Sequence, residues 1–178
     1  MKELYQDVYF IGIGLPAYLD QQVSELQWDL HGLDKATLKP VLPHITLLHP
    51  PSLRGIMPSE LLPRVHEVAE RYLPLTIALH DIGYFRDRVC FVTVQSHQLI
   101  SLQAQLVRML PPEARRLHYR RPYHPHITLT QIHQPKVLDK ERIDEVLGDR
   151  LLLPQQFTVE HVSYFQRILP RQYRAEDI

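Results

Sequence analysis

The sequence predicts an α+β fold in which a β-α-β-α-β repeat occurs twice, giving two lobes that pack around a groove. Three observations predict it. The pentapeptide Pro43-His44-Ile45-Thr46-Leu47 recurs residue for residue as Pro125-His126-Ile127-Thr128-Leu129. The order of strand-like and helix-like patterns is the same around both copies. The spacings also agree: Phe10 precedes His44 about as far as Phe91 precedes His126, and Tyr84 and Tyr164 follow at similar distances. Such a duplication makes residues 1–178 a single domain, with lobes of about 1–86 and 87–178 related by a pseudo-two-fold axis and free to exchange strands.

Val8 to Ile13 reads as a buried strand. Leu19, Val23, Leu26 and Leu30 then recur at helical spacing, with Gly32 as the expected stop. The first motif forms a strand over about 43–48, closed by His49-Pro50-Pro51 because proline cannot donate to a ladder. Ser59 is placed to cap a helix carrying Leu62, Val65, Val68 and Tyr72, and a strand follows from Leu75 to Phe85. In the second copy, Val89 to Val94 is a strand with Phe91 in the place of Phe10. Ser96 caps a helix with Leu99, Leu102, Leu106 and Met109 on one face, which Pro111-Pro112 stop. The second motif strand comes next. A short helix with Ile143, Val146 and Leu147 inward ends at Gly148, and a last strand runs from Phe157 to Phe165.

The composition narrows the function classes. With 44% hydrophobic and 22% charged residues, the chain reads as an ordinary globular protein. It shows no run long enough to span a membrane and no signal-peptide pattern, so no membrane partner is expected. Cys90 is the only cysteine, which rules out an internal disulfide and points to the cytoplasm. Lys+Arg and Asp+Glu are both 20, so no global field gathers polyanions. Charge is concentrated locally, where Arg115, Arg116, Arg120 and Arg121 surround His118 and Tyr119. That segment reads either as an RNA-facing patch or as a solvated loop.

In a strand, residues two apart face the same way, so each triplet sets an imidazole beside a hydroxyl and sends its isoleucine to the core. Two such faces across a pseudo-two-fold axis suit in-line displacement at phosphorus. One imidazole serves as base behind the attacking oxygen and the other as acid at the leaving oxygen. Imidazole titrates near ~6.5, so one neutral and one protonated ring can coexist near neutral pH. Thr46 and Thr128 are placed to bond the non-bridging oxygens. His44 and His126 are interchangeable in this reading, and no metal or cofactor is required.

Arg121-Pro122-Tyr123-His124-Pro125-His126-Ile127-Thr128-Leu129, paired with Pro43-His44-Ile45-Thr46-Leu47, resembles the 2H phosphoesterase superfamily, and more closely its 2'-5' RNA ligase-like group. The resemblance extends over nearly the whole chain and implies a bilobal α+β fold with antiparallel sheets flanking a central cleft. It implies metal-independent chemistry on 2',3'-cyclic phosphate ends of RNA or nucleotides, or reversible 2'-5' ligation, with His44, Thr46, His126 and Thr128 as active residues. The chain departs from the RNA cyclic phosphodiesterase branch in two places. Thr130-Gln131 stands where that branch has Ala-Arg, and Leu48-His49-Pro50-Pro51 lacks its Phe-Leu-Gly.

Around this core, Arg121 and Tyr123 either bind phosphate and base or shape the approach to the strand. Tyr84 and Tyr164 either flank the cleft or pack in the core. The expected partner is an RNA or a small cyclic-phosphate nucleotide, bound by a monomer. Two rivals remain. His124 with His126 suggests a His-ligated metallohydrolase, and the same cleft would also suit a nucleotide- or RNA-binding module without turnover.

Overall fold

Eight strands form one antiparallel sheet in the computed structural model, which describes residues 8–120, 122–148, 150–151, 153, 155–169 and 172–178. In chain order the elements are β1 (Tyr9–Gly14), α1 (Ala17–Leu33), β2 (His44–Leu48), α2 (Pro50–Leu53), α3 (Pro58–Ala69), β3 (Leu75–Phe85), β4 (Val89–Gln95), α4 (His97–Arg108), α5 (Pro112–Tyr119), β5 (His126–Gln131), α6 (Lys140–Leu147), β6 (Gln155–Val159), β7 (Ser163–Leu169) and β8 (Gln172–Asp177). Across the sheet they lie in the order β6-β3-β4-β5-β2-β1-β7-β8. The expected α+β class and antiparallel pairing are both present. The two motif strands meet at the centre through the pair Ile45↔Ile127.

The duplication is visible in the register. Gly12 pairs with Thr46 and Gly14 with His44, while Phe91 pairs with Thr128 and Thr93 with His126. Both ladders slip at the same place, between Ile11 and Gly12 in one and Cys90 and Phe91 in the other. This corrects one expected equivalence: Phe91 occupies the position of Gly12, and the counterpart of Phe10 is Val89. The offset is two residues, so both phenylalanines still face the same side of the sheet. Tyr84 and Tyr164 are equivalent as expected, pairing with Cys90 and Ile11.

Helices cross between the halves. α1 packs on β5, and α4 packs on β2. Leu19, Val23, Leu26 and Leu30 form the buried stripe of α1, and Leu99, Leu102 and Leu106 that of α4. The Ser96 hydroxyl accepts the Leu99 N–H at 3.3 Å, capping α4 as its sequence requires. Asp139 caps α6 through the Arg142 N–H at 3.3 Å, and Gly148 closes it with φ +40°, a backbone region that favours glycine.

Four local expectations need correction. α1 runs through Gly32 to Leu33, because tertiary packing of Leu30 outweighs the weak helix propensity of one glycine. α3 begins with Pro58, whose missing N–H is harmless in a first turn, so Ser59 lies inside the helix and caps nothing. The arginine-rich segment begins as a helix rather than a loop: Pro112 starts α5, which runs to Tyr119 and contains Arg115 and Arg116. The expected strand from Phe157 to Phe165 is two strands. β6 pairs with β3, and after residues 160–162 the chain crosses to pair β7 with β1. No helix among the described residues is long and apolar enough to cross a membrane.

Candidate active site

Ile45 and Ile127 are completely buried, and that burial orients both motifs. Each isoleucine removed from water stabilises the fold by about 1.5–3 kcal/mol. Turning either strand over would forfeit that contribution. The alternation leaves His44, Thr46, His126 and Thr128 half-buried on the other face. In an antiparallel pair centred on Ile45↔Ile127, His44 lies across from Thr128 and Thr46 across from His126. The histidine of each copy therefore lies beside the threonine of the other.

Both imidazoles are held the same way. His44 Nδ1 donates to the Leu42 carbonyl at 2.7 Å, and His126 Nδ1 donates to the His124 carbonyl at 2.8 Å. A carbonyl only accepts, so Nδ1 carries hydrogen in each ring, and Nε2 is the atom that gains or loses a proton. Stacked phenylalanines lie beside each ring. Phe10 and Phe165 stack at 4.5 Å next to His44, and Phe85 and Phe91 at 4.1 Å next to His126. Burial pushes His44 down to about 4; the Leu42 carbonyl opposes this and the nearby His126 adds to it. Burial also lowers His126, against the bond to the His124 carbonyl and with help from the His124 ring.

The strands splay beyond their central pair, and side chains take over the exposed carbonyls. Tyr123 Oη donates to the Thr46 carbonyl at 2.9 Å. The Gln27 side-chain amide, from α1, donates to the Thr128 carbonyl at 2.9 Å. Tyr123 is thus bonded to the first motif's backbone and also lines the cavity beside His126. Tyr84 lines the same cavity; its hydroxyl donates to Asp144 Oδ1 at 3.2 Å, with Lys140 Nζ 4.9 Å from its ring centre. Tyr164 is buried, 5.4 Å from the Tyr9 ring. Arg121 lies outside the described residues.

The cavity encloses about 1130 Å³ and includes Thr46 and His126 in its wall. From there it extends toward α5 and the β3–β4 hairpin. Another histidine pair forms part of its wall. His49 and His118 stack with ring centres 4.2 Å apart. Ser52 Oγ donates to the His49 carbonyl at 2.7 Å, so His118 Nε2 must donate to Ser52 Oγ at 2.8 Å. Burial pushes His118 down to about 4 and lowers His49 as well. These contacts dock α5 on α2. Sequence reasoning missed this pair, and it missed Gln27. A glutamine on the apolar stripe of an amphipathic helix was the one available signal for Gln27. Among the described residues, no group of three or more His, Cys, Asp or Glu is placed to hold a metal ion.

Comparison with known proteins agrees with this architecture. A family profile described as the 2'-5' RNA ligase superfamily matches residues 15–169. No curated protein sequence matches the chain. Among solved structures, TT0787 of Thermus thermophilus is similar, with TM-score 0.65 and 22% identity over 96% of this chain and 94% of that one. E. coli LigT in apo form gives TM-score 0.59 and 22% identity over 97% and 94% of the two chains. E. coli LigT complexed with 3'-AMP gives 0.56 and 20% over 97% and 95%.

Proposed function

The chain belongs to the 2'-5' RNA ligase superfamily, and from that premise we propose that it is a metal-independent phosphodiesterase acting on 2',3'-cyclic phosphate ends of RNA or nucleotides. The observation that carries this reading is the matched pair of Nδ1-to-carbonyl bonds, which leaves both Nε2 atoms available for proton transfer. His44 is pushed further from its ordinary value, so it is neutral and serves as the base. His126 is the acid. A phosphate anion drawn in beside it favours the imidazolium form.

In the reaction, His44 Nε2 takes a proton from water as the oxygen attacks phosphorus. The bond from phosphorus to one ribose oxygen breaks, and His126 Nε2 delivers its proton to that oxygen. One water is consumed, and a phosphate monoester and a ribose hydroxyl are formed. Thr46 and Thr128 hold the non-bridging oxygens, where charge grows in the transition state. With a ribose hydroxyl as leaving group and another hydroxyl as nucleophile, the same two groups would run 2'-5' ligation. A neighbouring fold, E. coli LigT, is known in complex with 3'-AMP, which supports a nucleotide substrate. Cys90, a buried free thiol, fits a reducing compartment.

The test is hydrolysis of nucleoside 2',3'-cyclic phosphates and of RNAs with cyclic ends, in EDTA, over about pH 4 to 8. His44→Ala and His126→Ala should each lower turnover by about 10²–10⁴-fold. kcat/KM should be bell-shaped with its optimum below ~6.5, because both histidines titrate below their ordinary value. Full rate in either variant, or activity that EDTA abolishes, would overturn the reading.

A further inference from the structure

The cavity beside His126 has a wall of one sign. The chain carries 20 acidic and 20 basic residues, yet this wall contains Arg86, Arg88 and Arg120, five histidines, and neither Asp nor Glu. Two of the arginines belong to the turn between β3 and β4. Arg86 and Asp87 both sit at positive φ (49° and 53°), and the Arg88 N–H closes the turn on the Phe85 carbonyl at 3.0 Å. The segment after β5 clamps this turn in place. Ile132 N–H bonds the Arg88 carbonyl at 2.9 Å, and Leu138 N–H bonds the Asp87 carbonyl at 2.8 Å. The one carboxylate between the arginines is drawn away, because Asp87 pairs with Lys140 at 2.6 Å. The Arg88 guanidinium faces the neutral Gln134 amide. No carboxylate among the described residues pairs with Arg86, Arg88 or Arg120.

A cyclic phosphodiester carries a single negative charge, and in the function proposed above that charge lies at the two His-x-Thr triplets. Three further guanidiniums with no carboxylate partner among the described residues, around a cavity partly walled by Phe85, Leu117 and Ile132, create a positive potential that this one charge does not use. Guanidiniums held in a fixed turn suit bidentate bonding to phosphate oxygens.

We infer that the hairpin end of the cavity is a second-phosphate subsite: the substrate carries, besides the reacting cyclic phosphate, a further phosphate group that Arg86 and Arg88 bind. This rests on the proposed reading only for where the reacting phosphate sits. Two sources supply the same chemistry, the next diester of an RNA strand or a terminal 5'-phosphate.

The test compares adenosine 2',3'-cyclic phosphate, its 5'-phosphorylated form, and an adenosine dinucleotide ending in the cyclic phosphate. Wild type and the double variant Arg86→Gln/Arg88→Gln are used, with folding checked by thermal melting. At least one added phosphate should raise kcat/KM by about tenfold or more, through KM, and the arm that gains identifies the source. The double variant should lose that preference while hydrolysing the simple cyclic nucleotide at close to the wild-type rate. Equal kcat/KM for all three substrates, or a preference that survives in the variant, overturns the subsite. If the double variant does not fold, Arg86→Gln alone decides, since this exposed side chain pairs with no carboxylate among the described residues. If wild type turns over none of the substrates, the catalytic reading fails and binding decides the subsite. Adenosine 3',5'-bisphosphate should then bind about tenfold or more tighter than adenosine 3'-phosphate, and the arginine variant should remove the difference. Equal affinities would overturn it.

Discussion

Tyr123 donates its phenolic hydroxyl to the main-chain carbonyl of Thr46 across 2.9 Å, so the segment leading into the second triplet holds the backbone of the first. Gln27 does the same for Thr128 from α1. Together they satisfy carbonyls that the splayed pair of β2 and β5 leaves without a strand partner, as buried backbone requires. Both bonds lie at the open centre of the sheet, where the proposed reaction would place the phosphate.

Tyr123→Phe removes one of these bonds without changing shape. An unpaired buried carbonyl costs about 1–3 kcal/mol, to be read as a loss in urea-unfolding free energy. Because the bond fixes Thr46 rather than the substrate, kcat should fall by about tenfold with KM little changed. A raised KM with unchanged stability would instead make Tyr123 a base-binding residue.

Gly12 lies opposite Thr46, and there is no space for a side chain there. A Cβ on it would sit 2.7 Å from the Ile45 carbonyl oxygen and 3.2 Å from the Phe165 ring. The first neighbour is backbone of the motif itself and gives way only if β2 moves. Gly12→Ala should therefore destabilise by about 1–3 kcal/mol and lower turnover, because β2 must shift. Gly32→Ala is the control. Nothing lies within 4 Å of its Cβ, and in a helix it should gain up to about 0.5–1 kcal/mol. Wild-type stability in Gly12→Ala would show that β2 moves without resistance.

Acid should weaken the fold through the half-buried imidazoles. Burial pushes both His44 and His118 down to about 4, with His126 adding to the first and His49 to the second. In the unfolded chain each titrates near ~6.5, so on acidification the unfolded state takes up protons that the native state refuses. Their contribution is intact above ~6.5 and declines as pH falls toward 4, by on the order of 3 kcal/mol for His44. Urea unfolding at stepped pH should show that decline, and His44→Gln should flatten it. An unchanged slope in the variant would mean that His44 is not the group being protonated.

Much of this site was legible because it depends on period-two alternation. A buried Ile between His and Thr fixes which way both polar groups face, and the second copy supplies the symmetry. What was not legible depends on long-range choices. Nothing local in residues 157–165 states that the chain leaves β3 after Val159 and joins β1 at Ser163. Gln27 occupies a helix position that periodicity assigns to the core, and only the packing of α1 on the opposite half gives its amide a role. The hairpin arginines carry no local signal, because the pairing of Asp87 with Lys140 spans distant parts of the chain. Phe91 was matched to Phe10 by residue type, whereas the ladder slips made Gly12 its counterpart.

The proposed division of labour between the two histidines can be tested through the leaving group. The acid is needed only when the departing oxygen is basic, as a ribose hydroxyl is, and a nitrophenolate leaves without a proton. The base is needed in both cases, since water must still be deprotonated. His126→Ala should therefore be strongly impaired on a nucleoside 2',3'-cyclic phosphate yet recover most of its rate on a p-nitrophenyl phosphodiester. His44→Ala should remain impaired on both. The asymmetry in burial, with His44 at about 4 and held neutral, is the physical reason for this assignment. Recovery in His44→Ala alone would exchange the two roles. Recovery in neither would mean that both rings act chiefly by positioning the phosphate, and the proton would then have to move by another route.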